Sequence, residues 1–334
     1  MDKGRIVSWV LVAALALGGV AAAGVIVSFQ RDMRQIRARL AAGSQVIQTA
    51  RGPIEYAIRG EGPPVLLVNA TAGGYDQALL LGEMFVGDGF RLIAPSRPGY
   101  LRTPQAGDPS AAGQADVLAA LLDALGIERA AVVGMSAGGP VSMELALRHP
   151  ERVTDLVLLS TAAYAPSAQA DRKLPVPDVV YKTLFGSDFL FWAMVRGATP
   201  ALAASFGATR ELQAALPPEE QAHLDTMIEA MLPIRARSVG LANDAAIADA
   251  ALVTPLPLER IRAPTLVVQA MDDPAAVPAG GLYTAAHIPG STLVRYDRGG
   301  HVVLGHHAEI KDQVRAFLTG GASASTATRT AARP

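Results

Sequence analysis

Short apolar runs, rich in β-branched residues and set off by glycine or proline, recur along the chain with room for a helix between them. Val65-Leu66-Leu67-Val68 follows Gly62-Pro63-Pro64, Arg91-Leu92-Ile93-Ala94 follows Gly89, and Ala130-Ala131-Val132-Val133 follows the helix stop Gly126. Leu156 to Leu159, Thr265 to Val268 and Thr292 to Val294 complete the series. Runs this short, apolar on both faces, read as strands covered on both sides, the mark of a parallel sheet. Between them Leu118, Leu121, Leu122 and Leu125, then Val141, Leu145 and Leu147, repeat at helical spacing. The alternation predicts an α/β fold with a mostly parallel central sheet flanked by helices. From about Ala163 to Val253 the rhythm breaks. Segments such as 179–195 and 217–232 look helical with no strand between them, which predicts an inserted helical cap over 163–253 between core segments 51–162 and 254–318.

The two ends differ from this body. From Ile6 to Phe29 the chain carries no charge, and at 1.5 Å per residue such a run is long enough to cross a bilayer core of about 30 Å. A single-pass membrane anchor is therefore expected over residues 1–30, with the side of the soluble part undecided because both flanks are basic. A signal peptide cleaved near Ala21-Ala22-Ala23 is the other reading. Residues 31–50, with Arg31, Arg34, Arg37 and Arg39, read as a basic linker, and 319–334, small and polar without period, as a disordered tail.

Composition excludes several classes of chemistry. With 29 Lys+Arg against 30 Asp+Glu and no basic block, a nucleic-acid partner is not expected. There is no cysteine, so disulfides, thiolate nucleophiles and Cys-ligated metals are ruled out. No Asp-rich calcium loop, His-pair zinc helix or phosphate-binding glycine loop appears, and chemistry without cofactor or metal is expected.

What remains is a nucleophile motif in its required setting. Gly134-Met135-Ser136-Ala137-Gly138 stands between the strand Ala131-Val132-Val133 and a helix running to Arg148, the strand–turn–helix context that exposes a serine at the carboxyl edge of a sheet. A serine hydroxyl needs a base to take its proton and a third group to fix that base. Of the six histidines, His301 alone lies in a glycine-flanked loop after a predicted strand, and it is the candidate base. His149 reads as a helix C-terminal cap, and His306 and His307, opening the last helix, as surface residues or part of a site mouth. The strand Thr265 to Gln269 ends in Asp272-Asp273-Pro274. Asp273, last before the proline turn, is the preferred orienting acid, and Asp272 reads as a cap or solvent-facing residue. The chain order Ser136, Asp273, His301 agrees with a nucleophile-elbow fold.

At these residues the sequence resembles the α/β-hydrolase superfamily, over about 51–318. Glu55-Tyr56 and Gly60 to Pro64 resemble its entry strand and turn, and Gly74 to Gln77 and Pro95 to Tyr100 the loops after its third and fourth strands. Pro264 to Val268 with Asp273, and Gly299-Gly300-His301, resemble its acid and histidine segments. The resemblance implies an oxyanion hole made by the backbone N–H groups of Thr71 and Ala137, although Asn69-Ala70 stands where the family usually has His-Gly. It implies a serine hydrolase cleaving an ester or related acyl bond of a small apolar molecule. A C–C bond hydrolase, lactonase or cofactor-free haloperoxidase, or a non-catalytic binding module, are alternatives on the same fold. In the cap, Phe189, Phe191, Trp192, Met194, Met227 and Met231 read as packing residues or acyl-pocket lining. Arg97 and Arg102 read as structural ion pairs rather than substrate grips.

Overall fold

The protein is described from a computed structural model, which covers residues 3–165 and 183–320. It divides into two units, Met1–Ala42 and Gly43–Pro334. The first is a single helix, α1 (Lys3–Ala42). It runs without a break through Arg31, Asp32, Arg34, Arg37 and Arg39, so most of the expected linker is helical. From Leu17 onward its apolar residues are diluted by Gly18, Gly19, Ala21, Ala22, Ala23 and Gly24. Among the described residues no helix is long and apolar enough to cross a membrane. The expected membrane anchor, and the localisation and membrane partnership drawn from it, are corrected accordingly.

The second unit is built on one sheet of eight strands: β1 (Gln45–Thr49), β2 (Gly52–Arg59), β3 (Pro64–Val68), β4 (Arg91–Pro95), β5 (Ala130–Met135), β6 (Val153–Leu159), β7 (Thr265–Ala270) and β8 (Thr292–Tyr296). Their spatial order is β1-β2-β4-β3-β5-β6-β7-β8. β2 pairs antiparallel with β1 and β4, and every other pair is parallel. All residues of β5 and β7 are buried, as expected of strands covered on both faces. Leu66 and Val68 pack with α3 (Ala111–Ala124) and α4 (Gly138–Arg148) in one core. Leu67 and Leu92 face α2 (Tyr75–Phe85), where Gly82 brings the helix backbone down onto their side chains.

Between β6 and β7 the chain makes α5 (Asp188–Ser205), α6 (Arg210–Ala215), α7 (Pro218–Glu229) and α8 (Ser238–Val253) with no strand among the described residues. Residues 166–182 of the expected cap and 321–334 of the expected tail lie outside the described residues. Helices α9 (Pro278–His287) and α10 (His307–Leu318) follow β7 and β8. The parallel strands β3, β5, β7 and β8 all end toward one edge of the sheet, and the loops leaving them there carry the residues of interest.

Candidate active site

The turn after β5 places Ser136 at φ +53°, a left-handed conformation that is strained for any residue with a side chain. It is held by Ser136 N–H donating to Leu159 O (3.0 Å), while Ser136 O accepts from the N–H groups of Gly139 (3.0 Å) and Ala162 (3.2 Å). The flanking glycines are required by contact. A Cβ on Gly134 would collide with the side chain of Ser142 on α4, and one on Gly138 would lie 2.5 Å and 2.7 Å from the carbonyl oxygens of Val68 and Asn69. The start of α4 thus abuts the end of β3, and the loop Asn69–Ala72 is brought beside the serine.

His301 arrives from the loop after β8, 5% exposed. Its Nε2 lies 2.9 Å from Ser136 Oγ, and its Nδ1 2.9 Å and 3.1 Å from the two oxygens of Asp273. A carboxylate only accepts, so Nδ1 carries the proton and Nε2 is left to accept from the serine hydroxyl. Asp273 Oδ1 also accepts from Ala275 N–H (2.8 Å) and Ala276 N–H (2.9 Å), which fixes the carboxylate. Asp272 turns to the histidine loop instead, accepting from Gly300 N–H at 2.8 Å and Gly299 N–H at 3.3 Å.

Phe206, a residue that no sequence pattern singled out, closes this group from the helical insertion. Its ring lies nearly parallel to the His301 imidazole at 6.3 Å, and its carbonyl accepts from His301 N–H at 2.8 Å. Gly207, at φ +83°, allows the close approach, since a Cβ there would come within 2.8 Å of Gly300 Cα.

A cavity of about 30 Å³ opens at Ser136, lined by Ala70, Thr71, Gln77, Met135, Phe206, Met227, Ile228, Met231, His301 and Val302. Met227 and Met231 therefore line it, whereas the buried Phe191 and Trp192 pack within the insertion. A larger cavity of about 500 Å³, bordered by Met143, Ala163, Ile247 and Leu256, contains none of Ser136, Asp273 and His301. The small cavity is the candidate active site because the reactive side chains converge there and not in the larger one.

Neither Arg97 nor Arg102 reaches this cavity. Arg97 is fully buried and forms a two-pronged pair with Asp244 at 2.6 Å and 2.7 Å, while Arg102 Nε donates to the buried Glu55 at 2.7 Å. Burial works against the Arg97 charge, but Asp244 more than compensates and raises its pKa; burial and Asp244 together push the Tyr100 phenol well above its ordinary range. His307 corrects an expectation. It is buried rather than on the surface, its Nε2 lies 2.8 Å from Val302 O, and desolvation lowers its pKa against the opposing pull of Glu220.

Comparison with known proteins follows the same lines. Residues 63–308 match the sequence model of a family described as alpha/beta hydrolase fold. The chain belongs to that family. This hydrolase is 28% identical over 265 residues to the uncharacterized hydrolase YcgS of Bacillus subtilis (strain 168), covering 75% of this chain and 89% of that one. It is also 28% identical over 268 residues to the 2-hydroxymuconate semialdehyde hydrolase of Pseudomonas putida, covering 75% and 85%. Among solved structures, the alpha/beta hydrolase fold protein from Nakamurella multipartita superposes with a TM-score of 0.69 at 31% identity, covering 83% of this chain and all of that one. The chain is accordingly an enzyme of the hydrolase class.

Proposed function

We propose that this hydrolase cleaves an ester or related acyl bond of a small apolar substrate through a covalent acyl-serine. The observation that carries the reading is the continuous hydrogen-bonded line from Ser136 Oγ through His301 to Asp273, both links 2.9 Å long. Ser136 Oγ attacks the carbonyl carbon as its proton passes to His301 Nε2, and Asp273 stabilises the imidazolium that forms. The carbonyl oxygen takes up the negative charge and is met by the N–H groups of Thr71 and Ala137. Collapse of the tetrahedral adduct expels the alcohol, which receives the proton from His301. Water, deprotonated by the same histidine, then releases the acid and restores the serine. The helices between β6 and β7 act as the cap, with Met227, Ile228 and Met231 bounding the acyl group.

A second reading, cleavage of a C–C bond next to a carbonyl, is favoured by the likeness to the 2-hydroxymuconate semialdehyde hydrolase. Against it, the described residues lining the cavity include no Arg or Lys to meet a substrate carboxylate.

The test is fluorophosphonate labelling of the purified protein beside Ser136→Ala and His301→Ala. Labelling should vanish in the first and fall by about 10³-fold or more in the second, with the far-UV circular dichroism unchanged in both. Equal labelling of Ser136→Ala and parent would defeat the reading. Short esters and vinylogous diketones offered in parallel separate the two chemistries.

A further inference from the structure

The loop after β3 is gripped from the helical insertion by buried polar contacts that the reaction above does not use. Asp244, on α8, accepts from Arg97 Nη1 at 2.6 Å, Arg97 Nη2 at 2.7 Å and Tyr100 Oη at 2.5 Å. Arg97 Nε then donates to Asn69 O at 3.1 Å, and Tyr100 Oη accepts from Ala72 N–H at 3.1 Å. The four-residue stretch that contains Thr71 is thus held by its first carbonyl and its last N–H.

Two further observations make this grip specific. Ala72 sits at φ +58°, which an alanine does not adopt unaided, so the loop needs an external hold to keep its shape. The ring of Tyr100 lies directly on the backbone of Gly240, where a Cβ would collide with it. Gly240 N–H donates to Gly99 O at 2.9 Å. Helix α8 and the 97–101 turn are therefore fitted to each other, and Asp244 cannot shift without moving Arg97 and Tyr100. A buried ion pair is by itself a weak source of stability, because desolvation offsets most of the attraction. What this one supplies is direction, since two of its remaining polar contacts end on a single short loop.

We propose that Asp244, acting through Arg97 and Tyr100, positions the Thr71 N–H for the oxyanion, so that the insertion helix α8 sets the rate of acyl transfer rather than the affinity for substrate. The proposal rests on the acyl-serine reading. Oxyanion donors act only within about 2.7–3.1 Å of the developing charge, so a small displacement of the loop is felt in the transition state and hardly at all in the ground state.

Tyr100→Phe tests it, because it removes one hydroxyl, alters no charge and keeps the ring on Gly240. With p-nitrophenyl acetate, kcat should fall by about 10- to 100-fold while KM stays within about twofold. Binding of a short alkyl trifluoromethyl ketone, which forms a tetrahedral oxyanion adduct on the serine, should weaken by about the same factor. A merely structural role would lower the active fraction and leave the ketone affinity of the remaining sites unchanged, and that result overturns the proposal. So does an unchanged kcat in a protein that is labelled and active. Asp244→Asn should show the same pattern. It strips the counter-charge from a buried guanidinium and can cost the fold, in which case Tyr100→Phe decides. A parent protein that is neither labelled by fluorophosphonate nor active on any ester overturns the acyl-serine reading and this proposal with it.

Discussion

Met231 illustrates how much a single side chain can decide where the available space is so small. A water needs roughly 10–15 Å³ of such room, so a cavity of about 30 Å³ at Ser136 holds about two of them, and on the proposed acyl-serine reading it is expected to take a short acyl group of two or three carbons. Met231→Ala removes three heavy atoms from its wall without touching Ser136, Asp273 or His301. The ratio of kcat/KM for p-nitrophenyl hexanoate over the acetate should rise by about 10-fold or more, within the range that one or two methylenes confer in an apolar pocket. An unchanged ratio would mean that the acyl chain leaves the site by another route.

Helices α3 and α4 lie side by side on the sheet, and their contact is tied on the outside by Asp116. It accepts from Arg148 at 3.0 Å through both guanidinium branches, meets His149 Nε2 at 2.9 Å and pairs with Arg51 at 3.2 Å. The Arg148 hydrogen bonds, with His149 in support, hold its carboxyl down at about 2. A lowered pKa in the folded state means stability that is present above the ordinary aspartate value and lost as pH falls from about 4 toward 2. Allowing for solvent around these side chains, it amounts to about 1 kcal/mol. Urea midpoints measured from pH 5 to 2 should therefore fall less steeply in Asp116→Asn than in the parent, and parallel curves would remove Asp116 from the account.

Legibility at this scale follows period and sequence distance. β3, β5 and β7 are visible because each is buried on both faces, and the serine turn because its glycines are forced by close contacts, Gly134 by the Ser142 side chain and Gly138 by the backbone at the end of β3. β1 falls inside the segment whose sequence reads as linker: its pattern is half polar, and an edge strand leaves no apolar run to notice. The Arg97 to Asp244 pairing joins residues 147 positions apart, and nothing in either segment announces the other. Phe206 carries no sequence signal for a similar reason, since its relation to His301 exists only after the insertion has folded back. The anchor expectation is overturned by the finding that, among the described residues, no helix is long and apolar enough to cross a membrane.

Over the unit that begins at Gly43, resistance to opening should be uneven within the insertion. α8 is held to the core by Asp244, by Gly240 against Tyr100, and at its start by the buried Arg237, which pairs with Asp76 of α2 at 2.8 Å. α6 has no buried residue. Hydrogen exchange should find the amides of α8 protected to nearly the level of β5, while those of α6 exchange through local opening many-fold faster. Equal, weak protection along both helices would show that the insertion comes away from the core as one piece.

The pairing of β6 with β7 has a consequence for how such a chain can diversify. The insertion leaves the end of β6 and the chain re-enters at the far end of its parallel neighbour β7, yet the insertion's own ends meet, Ala165 N–H donating to Leu252 O at 3.3 Å, so a foreign segment could be spliced in without disturbing the scaffold. The natural exchange boundary, however, is not where the insertion ends in sequence. A graft that ran through to Val253 would discard Arg237 and Asp244 and leave Asp76 and Arg97 without their partners. One that stopped before Arg237 would exchange the walls of the acyl site and keep the brace. On this scaffold a graft up to residue 236 keeps the brace but must supply again the carbonyl that Phe206 offers to His301 N–H and the carboxylate that Glu220 offers to Gly305 and His307 N–H, while beyond it the insertion is bound to the core through Arg237 and Asp244.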